Sequence, residues 1–233
     1  MGKKTEYRLY IILFSSLLLS LVVVACAGAP PSISQLFWQV DVVRNFDTER
    51  QHEELTLFLM IDDADGIDDL DEVLLIQGDR ELVWKIEPDE MRRVQREGEM
   101  WMGVNGIQMN DRSPLPRGQY TVEVSDRAGE KDEAEFFIGR DIAGHLRGDL
   151  DSGLFPELDV NSSVITASAE EQISVFFYDT EGNFLRSDTI PVTSFSHQIL
   201  RQWRESDIGS VWLHSYNAAE GYGLVSGPFR LTE

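Results

Sequence analysis

The chain of 233 residues carries 41 acidic against 20 basic side chains, a formal net charge of −21, with one cysteine. Such a charge repels phosphate backbones and anionic head groups, which excludes nucleic acid as a partner. A single cysteine leaves no intrachain disulfide, so stability must come from burying aliphatic and aromatic side chains.

Lys3, Lys4 and Arg8 precede an apolar run from Leu9 to Ala25, which closes as Val23-Val24-Ala25-Cys26. A basic start, an apolar middle and small residues before a cut mark a secretory signal. The ending resembles the lipobox of bacterial lipoproteins, with Val23 where that family prefers Leu. The resemblance implies a signal peptide over 1–25, acylation of the Cys26 thiol and attachment to a lipid bilayer. The alternative is an uncleaved anchor helix, since the run approaches a membrane span in length. Residues 26–32, with Gly28-Ala29-Pro30-Pro31, read as a tether. Removal of 1–25 leaves 208 residues with 17 basic and 40 acidic side chains, a length suited to two domains.

The first half reads as short strands. Leu36 to Val43 is followed by Leu55 to Ile61, whose two apolar faces predict a central strand. Glu72 to Ile76, a turn at Gln77-Gly78-Asp79-Arg80 and Glu81 to Ile86 predict a hairpin. Pro88 to Glu97 is expected to be a short helix, with Pro88 at its start and Gly98 as its stop. Glu99 to Met109 returns to extended structure. Tyr120, Val122 and Val124 then share one face against Thr121, Glu123 and Ser125, and Asp126 to Gly129 turns the chain towards Ala134, Phe136 and Ile138. This segment resembles the last hairpin of immunoglobulin-like and fibronectin-III-like domains. The resemblance implies a β-sandwich over 33–139 in which the Tyr120 hydroxyl bonds nearby backbone.

Residues 140–158, rich in Gly, Asp and Leu, read as a linker that a protease should cut between Arg140 and Asp151. Val160 to Ala167, Gln172 to Tyr178 and Phe184 to Ile190 predict strands, the last two joined by the Asp179 to Asn183 turn. Ser194 to Glu205 predicts a helix with Ile199, Leu200 and Trp203 on one stripe. Val211 to Tyr216 and Tyr222 to Leu231 close a second, smaller β-rich domain over 159–233, expected as a shorter sandwich with one helix. The fold class is therefore mainly β.

Two clusters invite a function. Residues 62–72 hold seven carboxylates in eleven positions. Asp63, Asp65 and Glu72 fall at ligand positions of a Ca²⁺-binding EF-hand loop, but Ile61 stands where the first acid is needed. The segment is either a Ca²⁺ site or a solvated acidic turn. Trp212, Tyr216 and Tyr222 are the other candidates, either an exposed group that stacks on a sugar or grips a peptide, or core, with Trp203 and Trp212 packing the helix on the sheet. His52, His145, His197 and His214 have no zinc spacing, and no nucleophile elbow, phosphate loop or dinucleotide fingerprint occurs. The expectation is a non-enzyme: a lipid-anchored envelope protein, periplasmic or surface-facing, with a binding or scaffolding role towards an envelope protein or small ligand. Its general character resembles the acidic lipoproteins of spirochaetes. The alternatives are an accessory subunit of a larger envelope complex, or a hydrolase.

Overall fold

The computed structural model describes residues 30–64, 66–139, 154–167, 172–204, 206–217 and 221–231. The signal, Cys26, Asp65 and positions 140–153 of the expected linker lie outside them. Eight strands form the first half: β1 (Ser32–Asn45), β2 (Arg50–Asp62), β3 (Leu70–Gln77), β4 (Leu82–Ile86), β5 (Arg92–Arg96), β6 (Glu99–Ile107), β7 (Gly118–Asp126) and β8 (Lys131–Ile138). They pack as two layers, β1-β2-β6-β5 over β4-β3-β7-β8. This is the strand order of an immunoglobulin-type sandwich, ABED over CFG with an added C′ strand.

Alternation decides which side chains meet between the layers. Leu55, Leu57, Leu59 and Ile61 of β2 point inward against Val73 and Leu75 of β3 and Tyr120, Val122 and Val124 of β7, all buried. Phe58 and Met60 point to the other side of β2 and are half-buried, so both apolar faces of that strand find cover. At the lower rim, Tyr120 is fully buried, and its hydroxyl donates to the carbonyl of Pro116 at 2.8 Å. Its ring stacks on Phe136 at 5.2 Å. Burial pushes the Tyr120 hydroxyl up to about 12, the nearby Arg117 opposing it in part. The corner therefore contributes fully below pH ~10, the free tyrosine value, and is lost as pH rises through about 12. Tyr120→Phe should cost about 1–2 kcal/mol in a urea titration at pH 7, since a buried carbonyl loses its donor; an unchanged midpoint would contradict this role.

The expected helix over Pro88–Glu97 is absent. Met91 is buried as a plug, and Arg92–Arg96 pairs antiparallel with β6, Val94 opposite Trp101. The segment supplies only Met91 and Val94 as apolar residues, too few to hold one isolated helix of this length, whereas β6 offers its backbone a full ladder. Gly98 is no helix stop. Glu97 and Gly98 both have positive φ, 55° and 91°, the two-residue hairpin turn that matches strand twist.

The second half contributes β9 (Glu157–Asp159), β10 (Val164–Thr166), β11 (Gln172–Tyr178), β12 (Phe184–Pro191), helix α1 (His197–Arg204), β13 (Ser210–Asn217) and β14 (Tyr222–Arg230). The strand expected over Val160–Ala167 is shorter, because Asp159 Oδ1 accepts from the amides of Asn161 and Ser162 and turns the chain there. Mainly β structure with one α-helix holds among the described residues, but no second sandwich forms among them. Instead β14 pairs in parallel with β1, Asp41 opposite Gly223, giving one eight-stranded sheet in the order β12-β11-β13-β14-β1-β2-β6-β5. Helix α1 and the β9–β10 ribbon cover its second half. Leu200 and Trp203 of α1 are buried, the indole edge-on to Phe177 at 5.0 Å. Two cores thus form under one sheet, and Phe155 and Leu224 of the second half sit in the first core.

Candidate functional site

Paired residues in neighbouring strands share a face, so register sorts the long sheet into two sides. Both cores lie on one. The other carries Phe37, Gln39 and Asp41 of β1, His52, Glu54 and Phe58 of β2, Phe176 and Tyr178 of β11, and Trp212, His214 and Tyr216 of β13. This face curls on itself. The guanidinium of Arg92, on the β5 edge, lies 5.1 Å from the Phe184 ring on the opposite β12 edge. Tyr178 feels both Arg92 and Glu54, and burial pushes its hydroxyl above the usual range.

Two acid–imidazole pairs occupy the middle of the face. Asp41 Oδ1 accepts from Gln39 Nε2 at 2.5 Å and lies 3.3 Å from His214 Nε2, which is 3.1 Å from the same amide. Glu54 Oε1 lies 2.8 Å from Nε2 of the buried His52. Position 223 must be glycine, because a Cβ there would overlap both the Asp41 carboxylate and the His214 ring. Neither imidazole has a serine or threonine hydroxyl bonded to it among the described residues. A serine–histidine contact does occur elsewhere, Ser163 Oγ to His197 Nδ1 at 3.0 Å. Among the described residues no carboxylate bonds the His197 ring, the contact that orients the imidazole of a catalytic triad.

Beyond this polar centre the face opens into a cleft of about 740 Å³, with Trp212 and Tyr178 as aromatic lining and Asp47, Thr180, Glu181 and Arg230 around them. Four elements build it: the turn after β1, the β11–β12 turn, the start of β13 and the end of β14. The turn is rigid. Asp179 Oδ1 accepts from the amides of Glu181 and Asn183 at 2.8 Å each, and Oδ2 takes Asn183 Nδ2. These bonds, those of Asn183 first, hold the Asp179 carboxyl below its usual range. Arg230 reaches across to Asp47 at 2.8 Å.

Of the three aromatic candidates, Trp212 lines the cleft and Tyr216 stands on the same face, 38% exposed. Tyr222 is set apart: it shares the side of Leu224 and packs against the first core. Trp203 packs the helix as expected, but Trp212 does not, because it stands two positions from His214 and so shares its coreless side. Of the acidic candidates, Glu72 is engaged by Lys85 Nζ at 3.1 Å, and Asp63 sits at the start of the turn, its carbonyl accepting from Gly66. Asp65 lies outside the described residues. No three His, Cys, Asp or Glu side chains gather at metal-binding distance among the described residues.

No family model matches the chain, and no curated protein does. Among solved structures, a crystal structure of Dpr11 IG1 bound to DIP-gamma IG+IG2 is similar over 85% of this chain and 98% of that one, at 9% identity and a TM-score of 0.25. That score is too low to add to the strand order already described. No helix among the described residues is long and apolar enough to cross a membrane.

Proposed function

We propose that the chain is a lipid-anchored protein of the bacterial cell envelope with a non-catalytic binding role, held through Cys26 and using the Trp212 cleft as its ligand seat. The observation that carries the binding role is the cleft itself. Its volume falls within the range of small-molecule sites, and it joins aromatic lining to a few convergent polar groups. Asp47 and Arg230 neutralise each other, and the remaining carboxylates disfavour anions. An uncharged polar ring, a sugar above all, would stack on the indole while Thr180 and Ser210 offer it hydroxyls.

The anchor rests on the Val23-Val24-Ala25-Cys26 ending and the tether behind it. Cells fed labelled palmitate should label the wild-type chain, while Cys26→Ser should stay unlabelled and keep its signal; equal labelling of both defeats the anchor. For the cleft, envelope saccharides should change tryptophan emission on titration, and Trp212→Ala should weaken binding about 30-fold or more, the loss expected of a central aromatic anchor. An affinity that Trp212→Ala leaves alone places the ligand elsewhere.

A further inference from the structure

The coreless face has a second opening at its other end. Phe37 (45% exposed) and Val94 (41% exposed) stand beside half-buried Phe58 and Trp101. With Gln35 and Arg96, and with Glu97 and Glu99 at the rim, they line a mainly apolar groove of about 470 Å³. Its edge strand reads Arg92-Arg93-Val94-Gln95-Arg96, the most basic stretch within the described part of an otherwise acidic chain.

We propose that this groove docks on the lipid bilayer, with Trp101 and Phe37 entering the head-group layer; the proposal rests on the acyl anchor at Cys26 argued above. Position favours the bilayer as occupant. Strand β1 begins at Ser32, and the Ile33 amide fixes that start by donating to Asp132 at 2.7 Å. Six residues lead from Cys26 to Ser32, which span at most about 20 Å. Gln35 and Phe37 lie about 10 and 17 Å along β1 from the same point. An acylated Cys26 therefore cannot hold the bilayer farther from Ser32 than about the distance at which the groove lies. Chemistry agrees, since Trp and Phe beside Arg96 suit a membrane–water boundary, where rings sit at head-group depth and a guanidinium reaches the phosphates. Arg92 lies on the Phe184 ring and Arg93 pairs with Asp68 at 2.7 Å, so Arg96 is the arginine that serves the groove. A second copy is the weaker occupant, because two chains of such negative charge repel each other. The Trp212 cleft, next to Asp47 beyond the far end of β1, stays open to ligand in this pose.

The full-length acylated protein is reconstituted into dioleoylphosphatidylcholine vesicles, plain or with bromine near the head-group end of the chains, then floated and its fluorescence measured. Of the five tryptophans, Trp38 and Trp84 pack on the first core, Trp203 on the second, and Trp212 lies at the opposite end of the face. Bromine should therefore quench wild-type emission, and Trp101→Phe should lose most of that quenching. Phe37→Ser/Val94→Ser should float as before yet lose it too, which separates docking from folding. Floating without quenching overturns the docking and leaves the anchor standing. Failure to float refutes the anchor and the docking with it. Cross-linked dimers that Val94→Ser dissolves would put a second copy on the groove and overturn the membrane assignment.

Discussion

Glu53→Ala should destabilise the protein by about 3–5 kcal/mol, the usual cost of stranding one partner of a buried ion pair. Glu53 sits on the core side of β2 and is 1% exposed. Its two oxygens take Arg117 Nη2 at 2.6 Å and Nη1 at 2.8 Å, and Oε2 also accepts the Leu115 amide at 3.0 Å. Arg117 in turn donates to the Leu115 carbonyl at 2.6 Å. Removing the carboxylate therefore takes the counter-ion from a guanidinium and this acceptor from the buried Leu115 amide in the segment that enters β7. For a chain of this size the loss corresponds to a fall of about 6–20 °C in Tm. The pair as a whole contributes far less than this, because two desolvated charges repay little beyond their own burial. Glu53→Leu/Arg117→Met should accordingly recover most of the loss. A double variant as unstable as the single one would show that packing at the rim, rather than the stranded charge, sets the cost.

The same carboxylate shows where the sequence stops being readable. Alternation along β7 and β11 is a local signal that groups their buried faces, whereas the Tyr120 corner follows from the resemblance to immunoglobulin-like hairpins. Glu53 and Arg117 are 64 residues apart in the chain, and nothing local to either announces a partner. The Arg92–Arg96 strand failed differently: flanking Pro88 and Gly98 mimic helix ends, and only the ladder offered by β6 decides against a helix. In the site, Trp212 and Tyr216 are two strides of one strand and were legible together. Tyr222 entered the same group through closeness in sequence, but register puts it on the far side of the sheet. Asp41 and His214 meet only because β14 pairs with β1, a contact between opposite ends of the chain.

That pairing makes the two halves unequal, and expression of each alone should reveal it. A 30–139 fragment should fold and melt cooperatively. It retains all eight strands of the sandwich, the Tyr120 corner and the Glu53–Arg117 pair; among the described residues it loses Phe155 and Leu224 from the buried core and the partly buried Tyr222 that packs on it. The two buried side chains are worth about 3–6 kcal/mol together, a serious fraction of the 5–15 kcal/mol typical of a domain but within it. A 154–233 fragment should not fold. Without β1, strand β14 becomes an open edge that keeps only β13, and Leu224 faces water instead of the first core. The seam also takes with it the Phe46 amide on Gly227, the Arg44–Glu157 and Arg230–Asp47 pairs and the Phe46–Phe229 ring contact at 5.1 Å. What remains among the described residues is a four-stranded sheet covered by the β9–β10 ribbon and one eight-residue helix, too little burial for independent stability. Circular dichroism and urea melts of the two fragments decide the matter. Should 154–233 unfold cooperatively with a native-like midpoint, the second half is a domain in its own right and β1 merely rests against it; should 30–139 be unfolded, the sandwich depends on its borrowed strand.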